Sequence, residues 1–181
     1  MTTANARGLR TLLGLAALFF VPLLLAFALY YGGGWRPAQS TNHGVLLRNP
    51  VKLTAAWPAE KWTLVQVGAG PCTDACRQAL YVTRQTWFSL AKELDRVQRV
   101  FIAPGDCCEA SYFAQDPSLI RIDATGAEGR ALLAALPAGT PDRTIYLVDP
   151  LGNLIMTFDA RDNPKGLLTD LKKLLKLSHI G

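Results

Sequence analysis

The 181-residue sequence predicts an α/β domain with a mixed sheet flanked by helices, preceded by one N-terminal membrane-spanning helix. Residues 11–31 form an apolar stretch without a charge, long enough to cross a bilayer. In the rest of the chain, β-branched runs alternate with helical patterns, and two strand patterns come together before the last helix. The hydrophobic content of 50% excludes disorder, and four cysteines are too few for a disulfide-dense mini-protein.

The net charge of +5 is concentrated ahead of the domain. Residues 1–36 contain Arg7, Arg10 and Arg36 but no acidic residue, so the remainder is almost neutral. A nearly neutral domain lacks the basic surface that nucleic-acid binding requires. Because arginines flank the cytoplasmic ends of membrane helices, we expect the N-terminus to lie in the cytoplasm.

The chain is accordingly expected to divide into four parts. These are a cytoplasmic N-terminus at 1–10, a transmembrane anchor at 11–31, a tether at 32–43 and a domain at 44–181. A cleaved signal peptide is the alternative, but the apolar run is longer than such a peptide normally carries. We expect a single-pass protein of a bacterial inner membrane with its domain in the periplasm, where cysteines are structural, redox-active or metal-bound.

The residue pattern predicts the elements of the domain in a definite order. The predicted strands are a small leading hairpin of 44–47 and 51–53, then 62–67, 97–103, 119–122 and a closing hairpin of 143–149 with 154–158. The predicted helices are 73–94, 126–136 with Thr125 as its cap, and a last helix capped by Asn163 that begins at Pro164.

A strand–helix–strand start implies a parallel strand pair with a right-handed crossover, and the closing hairpin makes the sheet mixed. A cysteine pair directly after the first long strand strengthens the assignment. The element order is that of a thioredoxin-like domain.

Cys72 and Cys76 lie four residues apart at the start of the predicted helix, so both sulfurs are expected on one helix face. Helix N-termini favour thiolates, and Arg77 adds a nearby cation. Such a pair can form a reversible disulfide or hold a soft metal such as Cu(I). We expect Cys72 to be the nucleophile, Cys76 to resolve it and Asp74 to orient the loop. A purely structural disulfide is the alternative, although closing so small a loop stabilises little.

Cys72, Asp74 and Cys76 match the Cys-Pro-Asp-x-Cys-Pro motif of the Sco/SenC-type proteins, which the chain from Trp62 onward resembles. That family assists assembly of the copper sites of cytochrome c oxidase. Its second motif, Asp-His-Thr leading into Tyr-Leu-x-Asp-Pro-x-Gly, is matched by Asp142, Thr144, Tyr146, Leu147, Asp149, Pro150 and Gly152. The resemblance implies copper bound by Cys72 and Cys76, and a client that is a cytochrome oxidase subunit or another thiol-redox protein.

This sequence departs from the family at three positions. Thr73 and Arg77 replace the two motif prolines, and Arg143 replaces the histidine that is the family's third copper ligand. A guanidinium keeps its proton and offers no lone pair to a metal. We therefore expect Arg143 either to stabilise a thiolate of the cysteine pair or to form an ion pair with Asp142 or a neighbouring acid.

A second cysteine pair, Cys107 and Cys108, follows the second predicted parallel strand. Loops after neighbouring parallel strands share one sheet edge, so this pair can supply a replacement metal ligand or a resolving thiol. Loop thiols without function are the alternative. His43 is expected to be a solvated turn residue.

Three functions therefore remain open. The first is a Sco-like thiol or copper protein in oxidase assembly. The second is an enzyme, a general membrane-tethered thiol–disulfide oxidoreductase, which the replacement of histidine by Arg143 favours. The third is a non-enzymatic assembly factor whose cysteines are structural.

Overall fold

A computed structural model describes residues 3–32, 41–53, 57–58, 60–68, 70–103, 113–137 and 142–181. The chain divides into two compact units, Met1–Thr41 and Asn42–Gly181. The first unit contains helix α1, Thr3–Tyr31. Its segment Gly8–Tyr31 has a mean hydropathy of 2.7 and is long enough to cross a membrane, a test that a signal sequence also passes.

The second unit is built on one sheet flanked by helices. Its strands are β1 (Val45–Lys52), β2 (Trp62–Val67), β3 (Val97–Ala103), β4 (Leu119–Asp123), β5 (Thr144–Val148) and β6 (Asn153–Asp159). Its helices are α2 (Asp74–Phe88), a 3₁₀ helix (Ala91–Arg96), α3 (Ala127–Ala135) and α4 (Pro164–Leu177).

The sheet is mixed, as the sequence predicts. Its strand order is β1-β6-β5-β2-β3-β4. Strands β2, β3 and β4 are parallel, whereas β5 runs antiparallel to β2, β6 to β5 and β1 to β6. The end of β2, where the first cysteine motif follows, therefore meets the beginning of β5, where the second motif starts.

Successive side chains of a strand point to opposite faces of the sheet, so the core is divided between the two faces. Leu64 of β2 packs in a cluster with Leu167 and Leu171 of α4. Val65, the next residue of β2, packs in a second cluster with Leu132 of α3. Helices therefore cover both faces of the sheet.

The predicted leading hairpin is wrong. Residues 45–52 form the single strand β1, which pairs with β6. Pro50 cannot donate to a ladder, and the pairing is irregular between Leu46 and Val51, which accommodates the proline on this edge strand.

Two helix boundaries also differ from the prediction. Helix α2 ends at Phe88 rather than near residue 94, because Ala91 has a φ of 51° and the chain continues as a 3₁₀ helix. Gly126, not Thr125, occupies the N-cap of α3, and the Thr125 amide donates to Asp123 instead. Asn163 caps α4 as predicted, because its side chain accepts from the Gly166 amide.

We predict that Gly129→Ala lowers the free energy of unfolding by about 1–3 kcal/mol, the range for overpacking a core. A Cβ at this position of α3 would lie 2.2 Å from the Asp123 carbonyl oxygen and 2.5 Å from Ala124 Cα, so backbone would have to move. Urea denaturation of the full chain in detergent measures the effect. Ala131→Gln, at an exposed position of the same helix, is the control and should change stability by at most about 0.5 kcal/mol. Equal effects of the two substitutions would contradict the close approach.

Candidate functional site

Cys72 lies in the turn between β2 and α2. The Gly68 amide donates to the Ile102 carbonyl, and Gly70 has a φ of 117°, a conformation that favours glycine. Helix α2 begins at Asp74, so Cys72 precedes the helix and only Cys76 belongs to it. Cys72 is half-buried at the mouth of the helix, and the expectation that both sulfurs point the same way stays a prediction.

Cys76 lies inside the domain. Its side chain has no exposed surface and packs in a cluster with Leu80, Phe101, Ala103 and Leu119. Cys72 and Phe113 pack against the same cluster. The two cysteines of the motif thus share one apolar environment, in which Cys72 contacts solvent and Cys76 does not.

The two cysteines also differ in oxidation state. Cys72 is disulfide-bonded, whereas Cys76 is a thiol. Cys107 and Cys108, which the sequence offers as further ligands or thiols, lie outside the described residues.

Thr73 connects the two sequence motifs. Its hydroxyl accepts from the Cys76 amide at 3.1 Å, as an N-cap does, and donates to the Asp142 carboxylate at 3.1 Å. Asp142 has a φ of 66°, and its amide donates to the Val67 carbonyl at 3.2 Å. The strong N-cap preference of threonine is a sequence signal for this role that the comparison with the motif proline does not use.

Asp74 and Arg77 form an ion pair at the start of α2. Arg77 Nη1 also donates to the Cys72 carbonyl oxygen at 2.7 Å. Asp74 is exposed, so its contact with the cysteine turn runs through the Arg77 guanidinium. The expectation that Asp74 orients the loop stays a prediction.

Arg143 forms an ion pair with Asp159 at the end of β6. This is the alternative in which the guanidinium binds a neighbouring acid. Among the residues that the structure describes, no group of three or more histidine, cysteine, aspartate or glutamate side chains is placed to hold a metal ion.

A buried ion pair holds the segment that carries Phe113. Arg99 of β3 is 1% exposed, and its Nη2 donates to Asp116 Oδ1 at 2.6 Å and to Ser118 at 2.8 Å. The Asp116 amide donates to the Phe113 carbonyl at 3.1 Å. The pair thus ties the residues leading into β4 to the sheet beside the cysteine cluster. The only sequence signal for this ion pair is a lone arginine within a strand pattern, and it was not predicted.

We predict that Asp116→Asn destabilises the domain by about 3 kcal/mol at neutral pH, because Arg99 keeps a buried charge without its partner. Burial raises the pKa of Asp116, but hydrogen bonds from Arg99 and Ser118 and the charges of Arg99 and Arg84 lower it overall from 3.8. Stability from this carboxylate is therefore present above pH 3.8 and lost as the pH falls through the lower folded pKa.

Urea denaturation between pH 2.5 and pH 7, on the full chain in detergent, measures both effects. The wild type should lose more stability with acid than the variant does. Glu93→Gln, which breaks the more exposed pair with Arg96, is the control and should cost at most about 1 kcal/mol. An Asp116→Asn variant with wild-type stability at neutral pH would contradict the role of the ion pair.

Comparisons with known proteins agree with this geometry. Residues 62–178 match the family model described as the transmembrane-like, thioredoxin-like C-terminal domain. The comparison with curated proteins gives no match.

Solved structures with a similar fold include several Sco proteins. The copper-bound ScoI of Bradyrhizobium japonicum is 24% identical with a TM-score of 0.52, covering 69% of this chain and 97% of its own. Yeast Sco1 is 19% identical with a TM-score of 0.56, covering 66% and 83%. BsSco, described as a Sco-family cytochrome c oxidase assembly protein with a disulfide switch, is 13% identical with a TM-score of 0.51, covering 79% and 98%.

These identities establish a common fold. The family-model match extends over more than half of the chain and spans both motifs that Thr73 and Asp142 join. The chain belongs to the family of transmembrane-like proteins with a thioredoxin-like C-terminal domain.

Proposed function

We propose that the chain is a membrane-anchored, Sco-like protein that assists cytochrome c oxidase assembly by thiol–disulfide exchange at Cys72. One observation carries the proposal: a half-buried, disulfide-bonded cysteine lies at the start of a helix, against the same apolar cluster as a buried cysteine thiol. Thiol–disulfide exchange needs an accessible sulfur that forms the mixed disulfide and a second, nearby sulfur that resolves it.

In the reduced protein, the Cys72 thiolate attacks one sulfur of a client disulfide. The second client sulfur leaves as a thiolate, and a mixed disulfide forms. Cys76, once deprotonated, then attacks the Cys72 sulfur, which releases the first client sulfur and leaves a Cys72–Cys76 bond. Two electrons pass from the protein to the client, and a dithiol reductant must restore the starting state.

Two contacts near Cys72 support its role as the attacking residue. Arg77 donates to its carbonyl oxygen, and Thr73 caps the helix directly after it. Both contacts fix the turn while leaving the Cys72 side chain half-exposed. Cys76, which has no exposed surface, reaches a client only through Cys72.

The disulfide of Cys72 gives a role to the second cysteine pair. We propose that its partner sulfur belongs to Cys107 or Cys108, the remaining cysteines of the chain. Attack of Cys76 on Cys72 would then release that partner as a thiolate and form the Cys72–Cys76 bond without any net change in oxidation. The oxidised protein would then have two alternative disulfides, one between Cys72 and the second cysteine pair and one between Cys72 and Cys76.

Copper handling is the second candidate, with copper as cargo. Cys72 and Cys76 lie against one apolar cluster, and two thiolates suit Cu(I). Reduction of the Cys72 disulfide must come first, because a disulfide sulfur is a poor ligand. Arg143, held by Asp159, supplies no lone pair, so a third donor would have to come from Cys107 or Cys108.

The anchor and its orientation belong to the same proposal. Helix α1 is apolar and long enough to serve as a single-pass anchor in a bacterial inner membrane. Arg7 and Arg10 precede its apolar centre, which favours a cytoplasmic N-terminus and a periplasmic domain. In that oxidising compartment a disulfide at Cys72 is stable until a dedicated thiol reduces it.

We predict that Cys76→Ser traps a mixed disulfide, whereas Cys72→Ser forms none. The reduced full chain in detergent is incubated with a peptide disulfide, quenched by alkylation and analysed by non-reducing mass spectrometry. Peptide mapping of the oxidised wild type identifies the partner of Cys72, and Cys107→Ser and Cys108→Ser are the matched variants. If Cys72→Ser and Cys76→Ser both exchange at the wild-type rate, the cysteines are structural and the proposal fails.

We predict that the reduced full chain binds one Cu(I), and that Cys72→Ser and Cys76→Ser each lose that binding. Competition with a chromophoric Cu(I) chelator under anaerobic conditions measures the affinity. The oxidised wild type is the control and should leave the chelator loaded. Exchange activity without any Cu(I) uptake by the reduced wild type would contradict copper handling and leave the oxidoreductase function.

A further inference from the structure

A cavity of about 370 Å³ opens at the edge of the sheet, near β1, β5 and β6. Apolar side chains form part of its wall, among them Val45 and Leu47 of β1 and Phe158 of β6. Acceptors form another part, namely His43, Asp159 and Asp162. None of these residues takes part in the sulfur chemistry described above.

The cavity and the cysteine turn lie at the same end of the sheet. Gln66, near the end of β2, pairs with Ile145 at the start of β5, and Thr144 pairs with Asp159 at the end of β6. The end of β6 is thus two strands from the end of β2, about 10 Å at the usual strand spacing.

Two consecutive residues connect the cysteine turn with the cavity wall. Asp142 accepts from Thr73 in the cysteine turn, and Arg143 binds Asp159 in the cavity wall. A client segment lying across Cys72 can therefore extend over the strand ends into the cavity.

The hydrogen bonds around His43 determine which nitrogen of its ring faces Asp170 and which one is left for a ligand. Asp170, 3% exposed, accepts from the His43 amide at 2.7 Å and the Gly44 amide at 2.9 Å, and its second oxygen lies 3.0 Å from His43 Nδ1. A carboxylate in this position accepts a hydrogen bond from Nδ1–H, so in the neutral imidazole Nε2 is the acceptor. His43 is thus an exposed residue in a bend, as the sequence suggested, and it is held in addition by a buried acid.

The acidic side chains of the cavity are not equivalent. Asp159 is engaged by Arg143 and by the Arg161 amide. Within the described part of the chain, no donor contacts the exposed carboxylate of Asp162. An alkyl chain fits the apolar wall, and a terminal cation fits the remaining acceptors, Asp162 and His43 Nε2.

We propose that this cavity binds a lysine or arginine side chain of the client segment that exchanges with Cys72. The stem lies on Val45, Leu47 and Phe158, and the charged head binds Asp162 and His43. The inference rests on the proposed function for its client. Since an extended chain advances about 3.3 Å per residue, the basic residue lies about three positions from the client cysteine.

Three synthetic peptides test the proposal. Each has one cysteine, activated as a mixed disulfide with nitrothiobenzoate, and lysine, norleucine or glutamate three residues away. Release of the chromophore by the reduced full chain in detergent gives the exchange rate. We expect the lysine peptide to react up to about fivefold faster than the norleucine peptide, the effect of one exposed ion pair. The glutamate peptide should react more slowly than both.

Asp162→Asn should remove the preference for lysine over norleucine. Glu128→Gln, at an exposed position of α3, is the matched control and should keep the preference. Equal lysine and norleucine rates in the wild type, or an unchanged preference in Asp162→Asn, would overturn the proposal.

A second measurement separates this inference from the proposed function. Nuclear magnetic resonance of the Cys72→Ser variant follows the His43 ring and the Thr157 amide during titration with acetyl-lysine methylamide or its norleucine analogue. Shifts with the lysine compound alone support the cavity as a site for basic side chains even if Cys72 exchanges with nothing. The absence of shifts overturns the cavity proposal and leaves the sulfur chemistry standing.

Discussion

The hydrogen bonds of the Thr73 hydroxyl hold the site together. One joins it to the Cys76 amide and so fixes where α2 begins, and the other joins it to Asp142. Asp142 in turn bonds to the last residue of β2 through its amide. Because Thr73 directly follows Cys72, this cap helps to fix the position of the Cys72 residue, together with the bond from Arg77 to its carbonyl oxygen. An N-cap of this kind is worth about 1 kcal/mol, enough to select one conformation of a short turn.

The two cysteines of the motif differ in how deeply they are buried. Cys72 lies before the helix and is half-buried, whereas Cys76 lies in the first turn of α2 and packs in a buried cluster with Leu80. A client can reach the first sulfur but not the second. The ion pair of Arg99 with Asp116 holds the segment of Phe113 against the same cluster, so the apolar floor of the site depends on a charged pair beside it. The motif therefore combines a half-exposed, disulfide-bonded cysteine with a buried thiol, the arrangement from which we propose sequential exchange.

The sequence predicted most of the fold because its strongest signals are local. The run from Trp62 to Val67 and the Asn163–Pro164 start of α4 were both located correctly, since each is set by propensity and capping. The predicted leading hairpin was wrong because β1 pairs with β6, which lies far along the chain, and no local pattern reveals such a pairing. The predicted long helix was wrong beyond Phe88, because Ala91 has a left-handed backbone although alanine is a good helix former. Of the site, the cysteine pair was visible from spacing, but the contacts of Thr73, Asp116 and His43 were not, because each depends on a distant residue.

The central claim is that the Cys72 disulfide is a working bond and not a structural one. Its reduction potential tests this most directly, measured by equilibrating the folded full chain with thiol–disulfide buffers and counting alkylated cysteines by mass spectrometry. The account predicts a midpoint above about −300 mV, the region of catalytic and regulatory disulfides, with Cys72 alkylated in the folded protein. A midpoint well below about −300 mV, or a Cys72 that reacts only after unfolding, would contradict it.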